Sequence, residues 1–167
     1  MTEKTLKVGV VLGSDSDLKI MSGCIKTLDA YGVPCELRII SAHRTPAAAA
    51  EFAKNAKANG FGAIIAAAGK AAHLAGALAA NTTLPVIAVP VKASALEGLD
   101  ALLSSVQMPK GVPVATVAID GGDNAALLAI QILAVSDSRL ADLLEAEKER
   151  MAREVEAKDA SANELLK

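Results

Sequence analysis

Strand-like apolar runs alternate along the chain with longer stretches that have helical character. The strand-like runs cover residues 8–12, 35–40, 62–68, 85–89 and 114–119. Runs that are apolar at nearly every position are typical of strands buried on both faces of a parallel sheet. The remaining stretches predict helices over 18–31, from Pro46 to about Asn59, after Gly76, from a capping box at Ser94–Glu97, and from Gly121 to Ala134. This alternation predicts right-handed βαβ units, and we expect an α/β three-layer sandwich with a flavodoxin-like, five-stranded parallel sheet.

A charged helix follows this pattern at the end of the chain. Residues 136–138 read Ser-Asp-Ser and would cap it, and its apolar stripe consists of Leu140, Leu144, Met151 and Val155. A narrow stripe on a terminal helix predicts docking on a neighbouring surface, for example that of another subunit. We therefore expect a single α/β domain over 1–167, in which 137–167 forms a helical arm that frays from about Lys158.

Composition and charge restrict the class of protein. Hydrophobic residues make up 52% of the 167 residues but aromatic residues only 2%, so the core must consist mainly of small aliphatic side chains. So high an apolar fraction favours burial of some apolar surface between subunits. A net charge of −2 without a basic stripe argues against nucleic acid as a partner. Cys24 and Cys35 fit a reducing cytoplasm, and the apolar run after Lys7 is too short to span a membrane.

The turn after the second predicted strand carries the densest set of reactive side chains. It reads Ser41-Ala42-His43-Arg44-Thr45-Pro46, and Thr-Pro is a common helix start, with a hydroxyl cap followed by proline. An arginine beside a helix N-terminus favours anion binding, because free amides and guanidinium donors point the same way. Histidine is the side chain that titrates near neutrality. The alternative without a function is a capped helix whose histidine and arginine simply face solvent, and this turn alone does not distinguish the two.

Two further loops are expected at the same sheet edge, where open α/β sheets bind their ligands. Gly13–Asp17 follows the first strand and Gly69–Gly76 follows the third, so both histidines of the chain, His43 and His73, fall at this edge. The amides of the first loop, with the hydroxyls of Ser14 and Ser16, can hold a phosphate, and the Asp17 carboxylate suits a sugar hydroxyl. A ribose phosphate would use both, whereas helix capping and a tight glycine turn are the structural alternatives.

Other chemistries lack the residues that they need. The sequence has no His, Cys and carboxylate cluster at metal-ligand spacing, and no serine or cysteine stands in a nucleophile elbow. The dinucleotide fingerprint G-x-G-x-x-G is absent. A phosphoacceptor receiver would have an aspartate at the end of the third strand, where this chain has Ala68-Gly69.

Several motifs together resemble those of the 5-(carboxyamino)imidazole ribonucleotide mutase family of purine biosynthesis. The resemblance covers roughly 8–133 and is carried by residues 13–17 (GSDSD), 41–46 (SAHRTP), 71–74 (AAHL), 103–109 (LSSVQMP), 111–119 (GVPVATVAI) and 124–128 (NAALL). It implies carboxyl transfer from the exocyclic nitrogen to ring carbon 4, with carbon dioxide as a transient intermediate. It also implies a cytoplasmic homo-octamer without metal or other cofactor.

The resemblance also implies roles for individual residues. Ser14, Asp17 and Arg44 would bind the phosphate and ribose of the substrate, assisted by Ser16 and Ser41. His43 would be the general acid and base, and His73 would be a second catalytic residue. The Gly69–Gly76 loop would close over the imidazole, with contacts from Gly69, Lys70, Ala71 and Leu74.

Two positions depart from the mutase pattern. The mutases usually have a second glycine where this chain has Lys70 and proline where it has Ala75. A related form, which carboxylates aminoimidazole ribonucleotide directly with carbon dioxide, usually has a basic residue at the Lys70 position. That form commonly lacks the counterpart of His73 and has lysine in place of Arg44, so we favour the mutase. Direct carboxylation is the alternative, and a non-catalytic nucleotide-sensing module is the hypothesis from another class.

Overall fold

A computed structural model describes residues 6–162. The strands are β1 (Lys7–Leu12), β2 (Cys35–Ile39), β3 (Phe61–Gly69), β4 (Val86–Val91) and β5 (Ala115–Thr116). The helices are α1 (Leu18–Ala30), α2 (Pro46–Ala56), α3 (Leu74–Ala79), α4 (Leu99–Val106), α5 (Gly122–Ala134) and α6 (Ser138–Ser161). A 3-10 turn, Asp15–Asp17, precedes α1. No helix among residues 6–162 is long and apolar enough to cross a membrane.

The sheet is parallel throughout, with strand order β2-β1-β3-β4-β5. Val10 of β1 pairs with Leu37 of β2 on one side and with Ile65 of β3 on the other, which fixes the register at the centre. Because the strands are parallel and adjacent, the carboxyl ends of β2, β1 and β3 lie side by side at one edge, and the reversal of strand order at β1 opens a crevice there. The predicted flavodoxin-like, five-stranded parallel sheet is confirmed.

Two apolar layers hold helices against the two faces of the sheet. One contains Val10 and Ile65 with Met21 of α1 and Ile130 of α5, and the other contains Ile64 with Ala53 of α2 and Leu78 of α3. Small side chains let these layers approach closely. A β-carbon at Gly62, for example, would collide with Leu133 Cδ2 unless that side chain moved, so the glycine lets α5 pack close to β3.

Two predictions near the end of the sheet are wrong in detail. The capping box expected at Ser94–Glu97 does not start a helix, because α4 begins at Leu99 after Gly98, which has φ 92°. The fifth strand, expected over 114–119, is reduced to Ala115–Thr116, and beyond it Asp120 N still donates to Pro90 O at 2.9 Å. The chain turns at residues 119–120, where Asp120 has φ 58°, so the apolar run overestimates the length of the fifth strand.

The terminal helix α6 packs partly on its own chain. Asp137 caps it by accepting from Leu140 N at 3.2 Å, and Leu140 is buried in the layer that contains α1 and α5. Met151 and Val155, from the same predicted stripe, are 46% and 65% exposed. The helix continues past Lys158 to Ser161, and the predicted arm beyond 162 lies outside the described residues.

Candidate active site

A cleft of about 560 Å³ opens at the carboxyl ends of β1, β2, β3 and β4. Every residue predicted for the site except His73 lines it: Ser14, Ser16, Asp17, Ser41, His43, Arg44, Gly69, Lys70, Ala71 and Leu74. Its charged walls carry three cations, Arg44, Lys70 and Lys92, and one carboxylate, Asp17. A cleft with this balance suits an anionic ligand.

The first wall is the loop from Gly13 to Asp17. Ser14 caps the 3-10 turn by accepting from Ser16 N at 3.3 Å, and the Ser16 hydroxyl bonds Ser14 Oγ at 2.9 Å. Both hydroxyls therefore face each other just before α1. The amides at positions 16–18 already donate to partners within the turn, so an anion at this wall would meet the hydroxyls rather than those amides. Ser14 therefore does cap the turn, as the structural alternative predicted, and the hydroxyls of Ser14 and Ser16 still lie on the wall of the cleft.

Asp17 is a buried carboxyl group in this loop, with 7% exposure. Burial raises the pKa of Asp17, while the hydrogen bond from Ser16 Oγ at 3.2 Å opposes that shift. The neighbouring carboxylates of Asp15 and Asp120 raise it further. A desolvated carboxyl of this kind is costly to the fold and is typical of a functional position.

The second wall is the 41–46 turn, which side-chain hydrogen bonds hold closed. Ser41 Oγ accepts from Arg44 N at 3.1 Å and from Arg44 Nε at 3.4 Å, which directs the guanidinium toward Gly13 O at 3.5 Å. Pro46 begins α2 as predicted, but the expected hydroxyl cap is wrong. Thr45 Oγ1 accepts from Ser41 N and donates to Ser41 O, both at 3.0 Å, so it braces the turn.

The two histidines are in direct contact. His43 Nε2 and His73 Nδ1 are 2.9 Å apart, and their rings meet edge to face with centroids 5.0 Å apart. One nitrogen must donate and the other accept, so the contact holds a single proton. His73, which stands at the N-cap of α3, is thereby coupled to the cleft through His43.

The third wall runs from Gly69 to Leu74. A β-carbon at Gly69 would lie 3.1 Å from Val91 O, so this glycine permits the end of β3 to approach β4. Lys70 has φ 56°, a left-handed conformation that favours glycine. Further along, Gly76 faces Met108, whose Sδ would lie 3.2 Å from an added β-carbon. The motif at 103–109 thus supports this loop from behind.

The fourth wall, Val91–Ala93 at the end of β4, was not predicted. These residues carry no recognisable motif, and nothing in the sequence distinguishes Lys92 from the exposed lysines that are common on protein surfaces. The position of β4 beside β3 in the sheet is the signal that could have included them.

Comparison of the sequence with models of protein families identifies the family of this chain. The model for AIR carboxylase matches residues 7–154, which is nearly the whole described chain. The chain belongs to the AIR carboxylase family.

Relatives within the AIR carboxylase family are similar over nearly their full length. The chain is 52% identical over 164 residues to the N5-carboxyaminoimidazole ribonucleotide mutase of Pyrococcus horikoshii, covering 98% of this chain and 92% of the relative. It is 53% identical over 158 residues to the protein of that name from Methanocaldococcus jannaschii, covering 95% and 98%. The predicted family resemblance is confirmed.

A solved structure of the family has the same fold. The crystal structure of Treponema denticola PurE superposes with a TM-score of 0.84 at 29% identity, covering 92% of this chain and 96% of that one. Among residues 6–162, no group of three His, Cys, Asp or Glu side chains is arranged to hold a metal ion. The roles of the individual cleft residues remain predictions.

Proposed function

We propose that this protein is an N5-carboxyaminoimidazole ribonucleotide mutase, which moves the carboxyl group from the exocyclic nitrogen to ring carbon 4. One observation carries the proposal: His43, Arg44 and the Ser14–Asp17 loop meet in a single cleft of an AIR carboxylase family chain. The relatives at 52% and 53% identity bear the name of that enzyme.

The phosphate and ribose are held at the β1–β2 end of the cleft in this proposal. Ser14 and Ser16 offer hydroxyls beside the start of α1, and Arg44 is braced by Ser41 for a charge-assisted contact. Asp17, once ionised, accepts from a ribose hydroxyl. This grip orients the imidazole against His43, and such positioning lowers the barrier because the orientational entropy is lost on binding rather than in the reaction step.

The carboxyl transfer needs one proton delivered and one removed. The carbamate C–N bond breaks, its electron pair stays on the exocyclic nitrogen, and that nitrogen takes a proton as carbon dioxide departs. Ring carbon 4 then attacks the carbon dioxide and loses its own proton. His43 lies on the cleft wall and serves both steps, because one imidazole can donate and then accept. Its contact with His73 supplies a partner for the second ring nitrogen.

Direct carboxylation of aminoimidazole ribonucleotide is the second candidate, and the observation in its favour is Lys70. Its ammonium-bearing side chain lines the cleft, where it could polarise carbon dioxide. The mutase is preferred because the chain has both Arg44 and His73, and His73 contacts His43.

One experiment separates the candidates. The protein is incubated with the carbamate ribonucleotide and, separately, with aminoimidazole ribonucleotide plus bicarbonate, while product absorbance is followed. The mutase turns over the carbamate at a rate indifferent to added bicarbonate. Turnover of aminoimidazole ribonucleotide alone at physiological carbon dioxide would establish the carboxylase, and binding without turnover would establish a sensing module.

The same proposal includes assembly into a homo-octamer in the cytoplasm. Its support is the exposed apolar surface, which includes Met151 and Val155 on α6 and Leu99 and Leu103 on α4. The two free cysteines fit a reducing compartment. Light scattering of the intact protein gives the mass, and a monomer would contradict the assembly.

The arm of α6 is tested without removing Leu140, which is part of the core. Replacing both Met151 and Val155 by lysine is expected to reduce the size of the oligomer. Replacing the exposed Ala152 and Ala157 by lysine adds the same charge and should leave the mass unchanged. Equal masses for both variants would place the interface elsewhere.

A further inference from the structure

Backbone strain is concentrated around the fourth wall of the cleft. Within residues 6–162, three non-glycine residues have positive φ: Lys70 after β3, Glu97 after β4 and Asp120 after β5. All three follow consecutive strands at the edge that holds the cleft. Left-handed non-glycine residues persist where surrounding contacts fix them, and they cluster at functional sites.

Contacts from two sides fix the backbone of Lys92. Its amide donates to Asp120 Oδ1 at 2.8 Å, and the Asp120 amide in turn donates to Pro90 O at 2.9 Å. Gly98, with φ 92°, packs so closely that an added β-carbon would lie 3.2 Å from Lys92 Cα. The base of the Lys92 side chain is therefore held in place at the end of β4.

The side chain of Lys92 is exposed and forms an ion pair that a ligand could replace. Its ammonium forms an ion pair with Glu97, and both side chains are largely exposed, at 55% and 69%. The hydrogen bond to Glu97 raises the pKa of Lys92, which keeps the ammonium charged. Lys92 lines the cleft whereas Glu97 is outside its lining, so an anion inside the cleft would compete with Glu97 for the same ammonium.

The strand order determines which part of the substrate lies near Lys92. The proposed phosphate grip is at the ends of β2 and β1, and β4 is two strands beyond β1, roughly 10 Å away at the usual strand spacing. His43, which follows β2, reaches across the end of β1 to His73, which follows β3, so its imidazole lies between the phosphate grip and β4. A ribose and an imidazole in series from the phosphate therefore extend past His43 toward β4.

We propose that Lys92 binds the carboxylate carried by the imidazole end of the ribonucleotide, and that Glu97 competes with that carboxylate for the ammonium. The inference rests on the proposed function, since it uses the phosphate grip to orient the ligand. It assigns to the site a residue that its motifs do not include. Because the ligand carboxylate replaces Glu97 as the partner of the ammonium, removing the Lys92 charge must weaken binding of the carboxylated ligand. Removing the Glu97 charge must strengthen it.

Calorimetry with two ligands tests this. The ligands are 4-carboxy-5-aminoimidazole ribonucleotide and 5-aminoimidazole ribonucleotide, which share the phosphate and differ by the ring carboxylate. Lys92→Met is expected to weaken binding of the carboxylated ligand about tenfold, equivalent to roughly 1.4 kcal/mol, and to leave the other ligand unchanged. Glu97→Gln is expected to tighten the carboxylated ligand about two- to fivefold, in keeping with the small free energy of an exposed ion pair.

Lys110→Met removes an exposed lysine outside the cleft and is the matched control, expected to bind both ligands as wild type does. Lys92→Met keeps the backbone amide that donates to Asp120 Oδ1, so the variant is expected to fold, and the thermal midpoint checks this. Equal weakening of both ligands by Lys92→Met, or no weakening of either, would overturn the inference. Wild type that binds neither ligand would instead overturn the proposed function.

Discussion

Lys70 is the residue where sequence and backbone disagree most, and Lys70→Gly is the substitution that tests the disagreement. Its φ of 56° lies in the left-handed region, and its carbonyl accepts from Ala72 N at 2.8 Å. A lysine in this conformation costs about 1–2 kcal/mol. Glycine relieves that strain but loses about 0.5–1 kcal/mol of chain entropy on folding. The net gain in the free energy of unfolding is therefore about 0–1.5 kcal/mol, with a central value of about 0.8 kcal/mol.

The thermal midpoint measures this gain. For a domain of 167 residues, 1 kcal/mol corresponds to about 2–4 °C, so the central value predicts that Lys70→Gly raises the midpoint by about 2–3 °C. Lys70→Ala is the matched control, because it removes the ammonium but keeps the β-carbon and hence the strain. A midpoint of Lys70→Gly at or below that of Lys70→Ala would refute the strain argument.

The same pair of variants tests whether Lys70 takes part in the reaction. If Lys70 is peripheral, both variants keep most of the turnover from the carbamate, and added bicarbonate changes neither rate. Loss of turnover in both variants, together with normal stability, would reassign Lys70 to the site and favour direct carboxylation.

Three further predictions concern the grip and the proton donor. His43→Asn should abolish turnover while substrate affinity stays within a few-fold, because Arg44 and the 13–17 loop supply the binding; substantial activity in this variant would contradict the assignment. Arg44→Ala should weaken substrate binding by about 2–3 kcal/mol as one charged phosphate contact is lost, and calorimetry showing equal affinity would remove Arg44 from the phosphate site. Asp17→Asn should raise the free energy of unfolding at neutral pH while it weakens substrate binding. Burial raises the pKa of Asp17 in the folded chain, so the ionised group destabilises the fold as pH rises above the unfolded value of about 3.9. Denaturant titrations should therefore show the gain at pH 7 shrinking as pH is lowered toward that value, and a gain independent of pH would contradict this reasoning.

The sheet was predictable because its central strands are buried on both faces. Val8, Val10, Val11 and Leu12 in β1 are all buried, as are most residues of β3 and β4, and such strands have apolar runs that need no alternation. β2 is an edge strand and mostly exposed, yet its place between a turn and a Thr-Pro helix start made it recognisable. The right-handed crossover rule restricts the possible topologies, and the expected flavodoxin-like order is one of those that it allows.

Local signals failed where tertiary contacts outweighed them. Ser94 and Glu97 have the spacing of a capping box, but Glu97 pairs with Lys92 and adopts φ 53°, which the start of a helix cannot accommodate. Thr45 is correctly placed as a cap, but its hydroxyl bonds Ser41 across the turn. Sequence spacing shows which hydrogen-bonding partners are near a side chain. It does not show with which of them the side chain forms its bond in the fold.

The predicted residues were brought together because each belongs to a loop after a strand, and strand order alone determines which loops are neighbours. The contact between His43 and His73 could not be predicted, since it depends on side-chain directions of two loops separated by β1. Val91–Ala93 carries no motif and was missed, because only the position of β4 beside β3 reveals that this segment lines the cleft.

The scarcity of large side chains links the core to the reaction proposed for the cleft. β1 leads into Gly13 and β3 ends at Gly69, where added β-carbons would lie 3.4 Å from Ala68 Cβ and 3.1 Å from Val91 O. The floor between these strand ends therefore consists of backbone and methyl groups, and in the proposed mutase it would lie beneath the imidazole. Carbon dioxide released there is apolar and needs a small dry space beside ring carbon 4, because water in that space would let it escape. The alanine- and glycine-rich strands that make the layers pack tightly thus also give the cleft the floor that a transferred carboxyl group requires.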